Sequence, residues 1–193
     1  VNMSLSTPLL RTAVVPRSTA MSNALFIFGG AIFLSMLAQI AIPVPGSPVP
    51  VTGQTFGVLL LATSYGATLA LSTFSLYLLA GIAGAPVFAN YGHGLDRLIG
   101  PTGGYLIGMF LASFVLGKLA GRKWDQKIFS AVITMLIGDV IIFAIGLFWL
   151  QNFTGNDWAW TFNAGLAPFV IGELLKISIA GTSMPLLWRA VQR

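Results

Sequence analysis

Three ionisable residues interrupt stretches that are otherwise almost wholly apolar: Asp139, Glu173 and Lys176. A charge placed in hydrocarbon costs about 2.5–3.5 kcal/mol on insertion scales, so each must face a protein interior and find a partner. Glu173 and Lys176 stand three apart, which puts their side chains on one face of a helix. Two readings stay open. The pair neutralises itself as a structural unit, or it offers an acceptor and a donor to a polar ligand. Asp139 has no charged residue within a helical turn and reads as a structural hydrogen-bonding group, or as one standing behind a site.

Two more polar clusters are unusual in so apolar a chain. Thr52-Gly53-Gln54-Thr55 follows a proline-rich stretch, and Asn90, Tyr91 and Arg97 sit in a glycine-rich segment. Helix capping accounts for Thr52 taken alone. Several such groups converging on one side suit a largely apolar pocket with a few polar groups, the common form of a small-ligand site. Other chemistry lacks its residues. The chain has no cysteine and a single histidine, His93, which by itself cannot build a metal site. No Gly-x-x-x-x-Gly-Lys-Ser/Thr, His-Glu-x-x-His or Gly-x-Ser-x-Gly occurs. Asp139 and Glu173 as an intramembrane acid pair is the catalytic alternative, and only Gly138-Asp139 approaches the Gly-Asp motif that it requires.

The elements that must position these groups follow from hydropathy. Of 193 residues 56% are hydrophobic and only 8% charged, against about a quarter charged in soluble domains. Most of the surface must therefore face lipid. A net charge of +5 does not indicate nucleic acid, because the basic residues fall in short clusters between apolar spans.

A crossing needs roughly 20 apolar residues, and six spans are expected. The first covers Asn23 to Ile42 and ends at the stretch 43–50, where four prolines and a glycine force an extended loop. Helix resumes near Gly53 and runs to Ala85, with a break expected at Thr63-Ser64-Tyr65-Gly66 that separates a short second helix from a third; one tilted helix is the competing reading. After the loop 84–101 come a fourth span, Thr102–Ala120, a basic turn at 121–127 and a fifth span, Ile128–Leu150. A loop at 151–163, with Trp158 and Trp160 suited to a membrane interface, leads to the last span, Ala164–Trp188.

Charge tests the count. With six spans and a cytoplasmic N-terminus, Arg11, Arg17, Lys118, Arg122, Lys123, Lys127, Arg189 and Arg193 share the cytoplasmic side, leaving Arg97 as the one basic residue of an outer loop. Five spans would split these clusters between the two faces. The expected organisation is an all-α integral membrane bundle of six helices over residues 23–193, with both termini cytoplasmic in the cell membrane. A cytoplasmic lead at 1–22 shows no apolar core of signal-peptide type. Small residues recur at Ala31 and Ser35, and at Gly104, Gly108 and Ala112, where helices can approach closely. The second stripe reads as packing within the bundle, and the first could equally be an outward docking face.

The run Ile42-Pro43-Val44-Pro45-Gly46-Ser47-Pro48-Val49-Pro50-Val51-Thr52-Gly53-Gln54-Thr55-Phe56-Gly57 closely resembles the first loop and second-helix start of the BioY family, the biotin-binding S components of energy-coupling factor transporters. The resemblance continues through 79–89 and 100–108 and reaches Glu173-x-x-Lys176, so that it covers roughly residues 23–189. Glutamate at 173, where aspartate also occurs in the family, changes the reach by one methylene. The resemblance implies a six-helix S-component fold with an outward-facing pocket. It also implies a membrane coupling protein and two ABC-type ATPases as partners, with the Ala31/Ser35 stripe docking on the coupling protein. No cofactor is expected; biotin enters as the transported ligand. Glu173 would then accept from a ureido N–H, and Asn90 would donate and accept. Lys176 or Arg97 would meet the carboxylate, while Phe56, Val87, Phe88 and Tyr105 would wall the apolar part. Thr52, Gln54 and Tyr91 complete the expected set. The alternatives are an S component for another vitamin, a membrane-embedded enzyme, or a purely structural membrane subunit.

Overall fold

The computed structural model describes residues 9–17 and 19–192. The expected lead at 1–22 therefore falls partly outside the described residues, as does Arg193. What is described of the lead is a short helix, α1 (Leu10–Val14), with Leu10 and Arg11 buried. The Arg11 guanidinium reaches Asn23, with its carbon 5.3 Å from the centre of the Phe26 ring. This segment is thus packed on the bundle, although its composition resembles a tail.

Helix α2 (Ala20–Gln39) starts at Thr19, whose hydroxyl accepts from the Ser22 backbone N–H. It ends three residues before the expected limit, because Ala41–Ile42 (β1) pairs antiparallel with Val51–Thr52 (β2) and turns the proline stretch into a hairpin. The next helices are α3 (Gln54–Tyr65) and α4 (Ala67–Ile82). Gly66 separates them at φ 79°, a conformation that side-chain-bearing residues rarely adopt, and this excludes one continuous tilted helix. Beyond them lie α5 (Leu95–Ile99), α6 (Gly103–Ala120), α7 (Ile128–Thr154), α8 (Trp158–Gly165) and α9 (Val170–Val191).

Later boundaries differ from expectation as well, α7 running on to Thr154 past the expected Leu150. Residues 158–163, read as loop, are helical and form one short helix with Ala164 and Gly165, because Asp157 caps the Trp160 N–H at 2.7 Å. The last long helix begins at Val170, since α8 and a turn use the residues before it.

Among the described residues four helices, α2, α6, α7 and α9, are long and apolar enough to cross a membrane. α4, at 16 residues, is shorter, and the 12 residues of α3 rise only about 18 Å. The outer faces are apolar: Phe28, Ile32 and Met36 on α2, Val140 and Phe148 on α7, and Ile171, Leu175 and Ile179 on α9 are all exposed. Surface of this kind belongs in lipid.

The core is centred on α6, whose most extensive interface is with α7. A Cβ on Gly108 would lie 2.8 Å from both the Cα and the carbonyl oxygen of Ile142, so the two backbones touch there. The Gly104, Gly108 and Ala112 stripe is therefore a seam inside the bundle. The first-span stripe behaves differently from the outward option. Ala31 is buried, with 8% of its surface exposed, and the Ser35 hydroxyl donates to the Ala31 carbonyl. Ala31 packs inwards because the inward ridge of α2 runs through Gly30, Ala31, Leu34 and Ala38, which leaves the bulkier Phe28, Ile32 and Met36 outside. The docking face expected at Ala31 is thus not on the surface.

One end of the bundle collects the basic residues. Leu9 packs on Gly66, Gly117 abuts Ala67, and the Trp188 indole N–H donates to Asp125 in the α6–α7 turn. These contacts bring the basic 118–127 segment and Arg189 to the end that holds α1. Asp125 is fully buried, and burial pushes its carboxyl above the usual 3.8, offset in part by the Trp188 hydrogen bond. An acid with a raised folded-state value stays protonated after the unfolded chain has ionised. Stability from this group is complete below the unfolded value and declines as pH rises through the folded one. Asp125→Asn is expected to flatten that decline, so that its thermal midpoint in detergent exceeds wild type at neutral pH and matches it in acid. A steeper decline in the variant would contradict this assignment.

Candidate functional site: a cavity walled by α3, α6 and α9

The polar clusters meet at the opposite end. The β1–β2 hairpin turns the chain so that Thr52, Gln54 and Thr55 enter the bundle at the start of α3, against the first turn of α9. Glu173 is only 2% exposed, and both of its carboxylate oxygens accept from the Thr55 hydroxyl, at 3.0 and 2.9 Å. Lys176 Nζ donates to Glu173 Oε1 at 2.7 Å, to the Thr52 carbonyl at 2.6 Å and to Thr55 Oγ1 at 2.9 Å. All three ammonium protons are therefore engaged. The ion pair is closed on one side and leaves Glu173 in the wall of a cavity.

That cavity, counted with the space at its open mouth, has a volume of about 610 Å³ and combines apolar walls with a few polar groups, the common form of a small-ligand site. Thr52, Gln54, Thr55, Arg97, Thr102 and Glu173 supply its polar lining. Phe88, Tyr105, Leu106, Met109, Phe143 and Phe169 supply most of the apolar walls, with Val49, Pro50 and Ala89 completing the lining. The rings interlock: Tyr105 lies edge-on to Phe143 at 5.7 Å and stacks on Phe169 at 6.4 Å. The Tyr105 hydroxyl donates to the Gly165 carbonyl at 2.8 Å, and this bond holds its ring in place.

Of the expected residues, Thr52, Gln54, Phe88, Arg97, Tyr105 and Glu173 thus surround one space, and Lys176 stands behind Glu173. Phe56, Val87, Asn90 and Tyr91 are not in the lining. Val87 instead offers its carbonyl to the Tyr77 hydroxyl at 3.2 Å. Asn90 and Tyr91 are exposed on a 3-10 turn at Ala89–Tyr91, both with φ 55°, because the chain reverses there to bridge Phe88 with Gly92. That reversal carries them outwards while Phe88 enters the core against Gly81 and Tyr77. His93 is exposed. Among the described residues no three of His, Asp and Glu gather as a metal site.

Sequence reasoning missed several participants. Gln39, on the last turn of α2, donates to the Phe88 carbonyl at 3.2 Å and accepts from the Tyr91 N–H at 2.9 Å, tying the 84–101 loop to the first long helix. Tyr77, on α4, accepts from the Gln54 side-chain amide at 2.6 Å, which links the hairpin end to α4. Met109, Phe143 and Phe169 carry no motif. A polar residue at the end of an otherwise apolar helix, such as Gln39, was the one signal available.

The fold and cavity define a class: a membrane-embedded helical bundle with the architecture of a transporter S component. A crystal structure of the S-component for biotin from an ECF-type ABC transporter superposes with a TM-score of 0.81, covering 90% of this chain and 95% of that one at 21% identity. A sequence profile of the BioY family matches residues 10–193, and the chain belongs to that family. The biotin transporter BioY2 of Lactococcus lactis is 37% identical over 163 residues, 83% of this chain and 86% of its own length. The biotin transporter BioY of Thermotoga maritima is 43% identical over 143 residues, 72% of this chain and 80% of its own length.

Proposed function

We propose that this protein is the substrate-binding membrane component of a biotin energy-coupling factor transporter. It captures biotin at the outer face for uptake driven by partner ATPases. The observation that carries this reading is the Glu173–Thr55–Lys176 cluster set in the wall of a mostly apolar cavity. Biotin's ureido group needs a buried acceptor for its N–H donors, its thiophane ring and aliphatic tail need apolar walls, and its carboxylate needs a cation. Glu173 supplies the first, and Phe88, Tyr105, Phe143 and Phe169 the second. Arg97 is exposed yet lines the cavity, whereas Lys176 has already spent its donors. This favours Arg97 as the partner of the carboxylate and gives Lys176 the task of holding Glu173 in position through their 2.7 Å ion pair.

We assign the basic end to the cytoplasm by the excess of Lys and Arg there, with the cavity opening outwards in the cell membrane. Six crossings by α2, α3, α4, α6, α7 and α9 put both termini inside. The short α3 fits such a crossing because the β1–β2 hairpin continues its path, and irregular backbone at depth is tolerated where it lines a cavity. The sequence carries no P-loop, so ATP would be hydrolysed by two ABC-type ATPases joined through a membrane coupling protein. Family membership lends no support to an enzymatic reading of Asp139 and Glu173.

The test is titration of the purified chain in detergent or nanodiscs with biotin and with unrelated vitamins. Tight, saturable binding of biotin alone is expected, and its absence would overturn the proposal. Arg97→Ala is expected to weaken biotin about tenfold while leaving the methyl ester of biotin unaffected, since that ester has no charge to meet. Equal losses for acid and ester would move the carboxylate elsewhere.

A further inference from the structure

Behind the ligand cavity, between α7 and α9, lies a second space of about 440 Å³. Its walls are apolar, with Leu136, Leu166 and Ile177 among them, and its two polar groups are Asp139 and Glu173. Phe143 and Glu173 line both spaces, so Glu173 stands in the partition. Asp139, on α7, lines the same space as Glu173. Asp139 Oδ1 is buried and has no hydrogen-bond partner among the described residues.

Charge and donor count decide what this arrangement means. The charged groups facing Asp139 are Glu173 and Lys176. Lys176 has committed its three N–H donors to Thr52, Thr55 and Glu173, and its single charge is matched by Glu173. An ionised Asp139 would be a surplus anion in an apolar space, opposite a second carboxylate and without a donor for its buried oxygen. Two carboxyl groups in that relation are stable when they share one proton.

We propose that Asp139 keeps its proton at neutral pH and donates it to Glu173, acting as a positioning residue that holds the ligand-facing carboxylate from behind. This rests on the reading of Glu173 as the acceptor for a ligand N–H. The arrangement has a purpose in those terms. Glu173 would then be held by Thr55 and Lys176 on the α3 side and by Asp139 on the α7 side, which fixes the orientation of its carboxylate in the wall of the ligand cavity. The bond also ties α7 to α9 at the depth of the site.

The test uses the full chain in nanodiscs. Infrared difference spectra should show at neutral pH the carbonyl stretch of a protonated carboxylic acid, sensitive to deuterium oxide, which Asp139→Asn removes. This signal requires no ligand. Biotin titrations across mildly acidic to alkaline pH form the second arm. Wild type should lose affinity as Asp139 ionises, whereas Asp139→Asn, which keeps an N–H donor toward Glu173, should bind within about threefold of wild type with a flat profile. Asp139→Leu removes the donor and should bind about tenfold more weakly at every pH, with circular dichroism confirming the fold. Absence of the protonated-acid band, or an Asp139→Asn variant as impaired as the folded leucine variant, would overturn the proposal. Should the leucine variant fail to fold, the band and the pH profile of Asp139→Asn decide it. If the band is present and biotin fails to bind wild type, the proton assignment stands and the transport reading falls.

Discussion

Replacing Glu173 with alanine is expected to reduce biotin affinity by roughly a hundredfold or more. The substitution removes a charge-assisted hydrogen bond to a buried ligand donor, worth about 1.5–3 kcal/mol, or about 10- to 150-fold in affinity. It also leaves Lys176 with an uncompensated charge inside the bundle, since its salt bridge to Glu173 at 2.7 Å is lost. Thr55 loses its acceptor as well. Glu173→Gln separates these effects, because it retains an acceptor oxygen but cannot neutralise Lys176. Titration calorimetry should place Glu173→Gln between wild type and Glu173→Ala, and Asp139→Ala should lose far less than Glu173→Ala. Comparable losses from Glu173→Ala and Asp139→Ala would show that the ligand's donor meets neither group specifically.

The second large effect concerns architecture. Gly108→Leu should fail to yield monodisperse protein in mild detergent, and any recovered fraction should not bind biotin. The obstacle to a side chain is the Ile142 backbone, 2.8 Å from where a Cβ would sit, and backbone cannot swing aside as a rotamer does. Overpacking by a few methylenes in a tight core typically costs about 1–3 kcal/mol, and separating two helix backbones costs more. The damage should reach the site because Leu106 and Met109 on α6 and Phe143 on α7 form facing parts of the cavity wall. Size-exclusion chromatography reads the first outcome and biotin titration the second. A well-behaved, binding-competent Gly108→Leu would mean that the α6–α7 seam is much more open than this geometry.

Much of the molecule was legible before any coordinates. The Glu173/Lys176 spacing pointed to the ion pair that forms, because residues three apart on a helix share one face. The proline run and Gly66 marked the chain breaks, since one lacks backbone donors and the other has φ 79°. The position of Thr52-Gly53-Gln54-Thr55 after the proline loop pointed to the site, although Thr55, the residue that joins Glu173 to Lys176, did not stand out from its neighbours.

Other residues stand elsewhere than expected for reasons of direction. Ala31 and Ser35 fit an outward stripe as well as an inward one, and only the packing of α2 on α3 and α4 turned Ala31 into the core. Asn90 and Tyr91 are the right residue types for recognition, yet a left-handed turn carries both outside the cavity lining. Val87 contributes its backbone and not its side chain. Asp139 showed no charged neighbour along the chain, and its neighbour proved to be on another helix.

Composition, period and charge placement are properties of the chain itself. They were enough to establish a membrane bundle, its breaks, a basic end and the types of group available to a ligand, because lipid penalises every misplaced charge and proline every misplaced helix. Which faces meet is settled by helix rotation and close backbone approach, and these depend on contacts between residues far apart in sequence. Tertiary structure alone therefore decided that Lys176 is saturated, that Arg97, Phe143 and Phe169 line one cavity and that Asp139 and Glu173 border a common space.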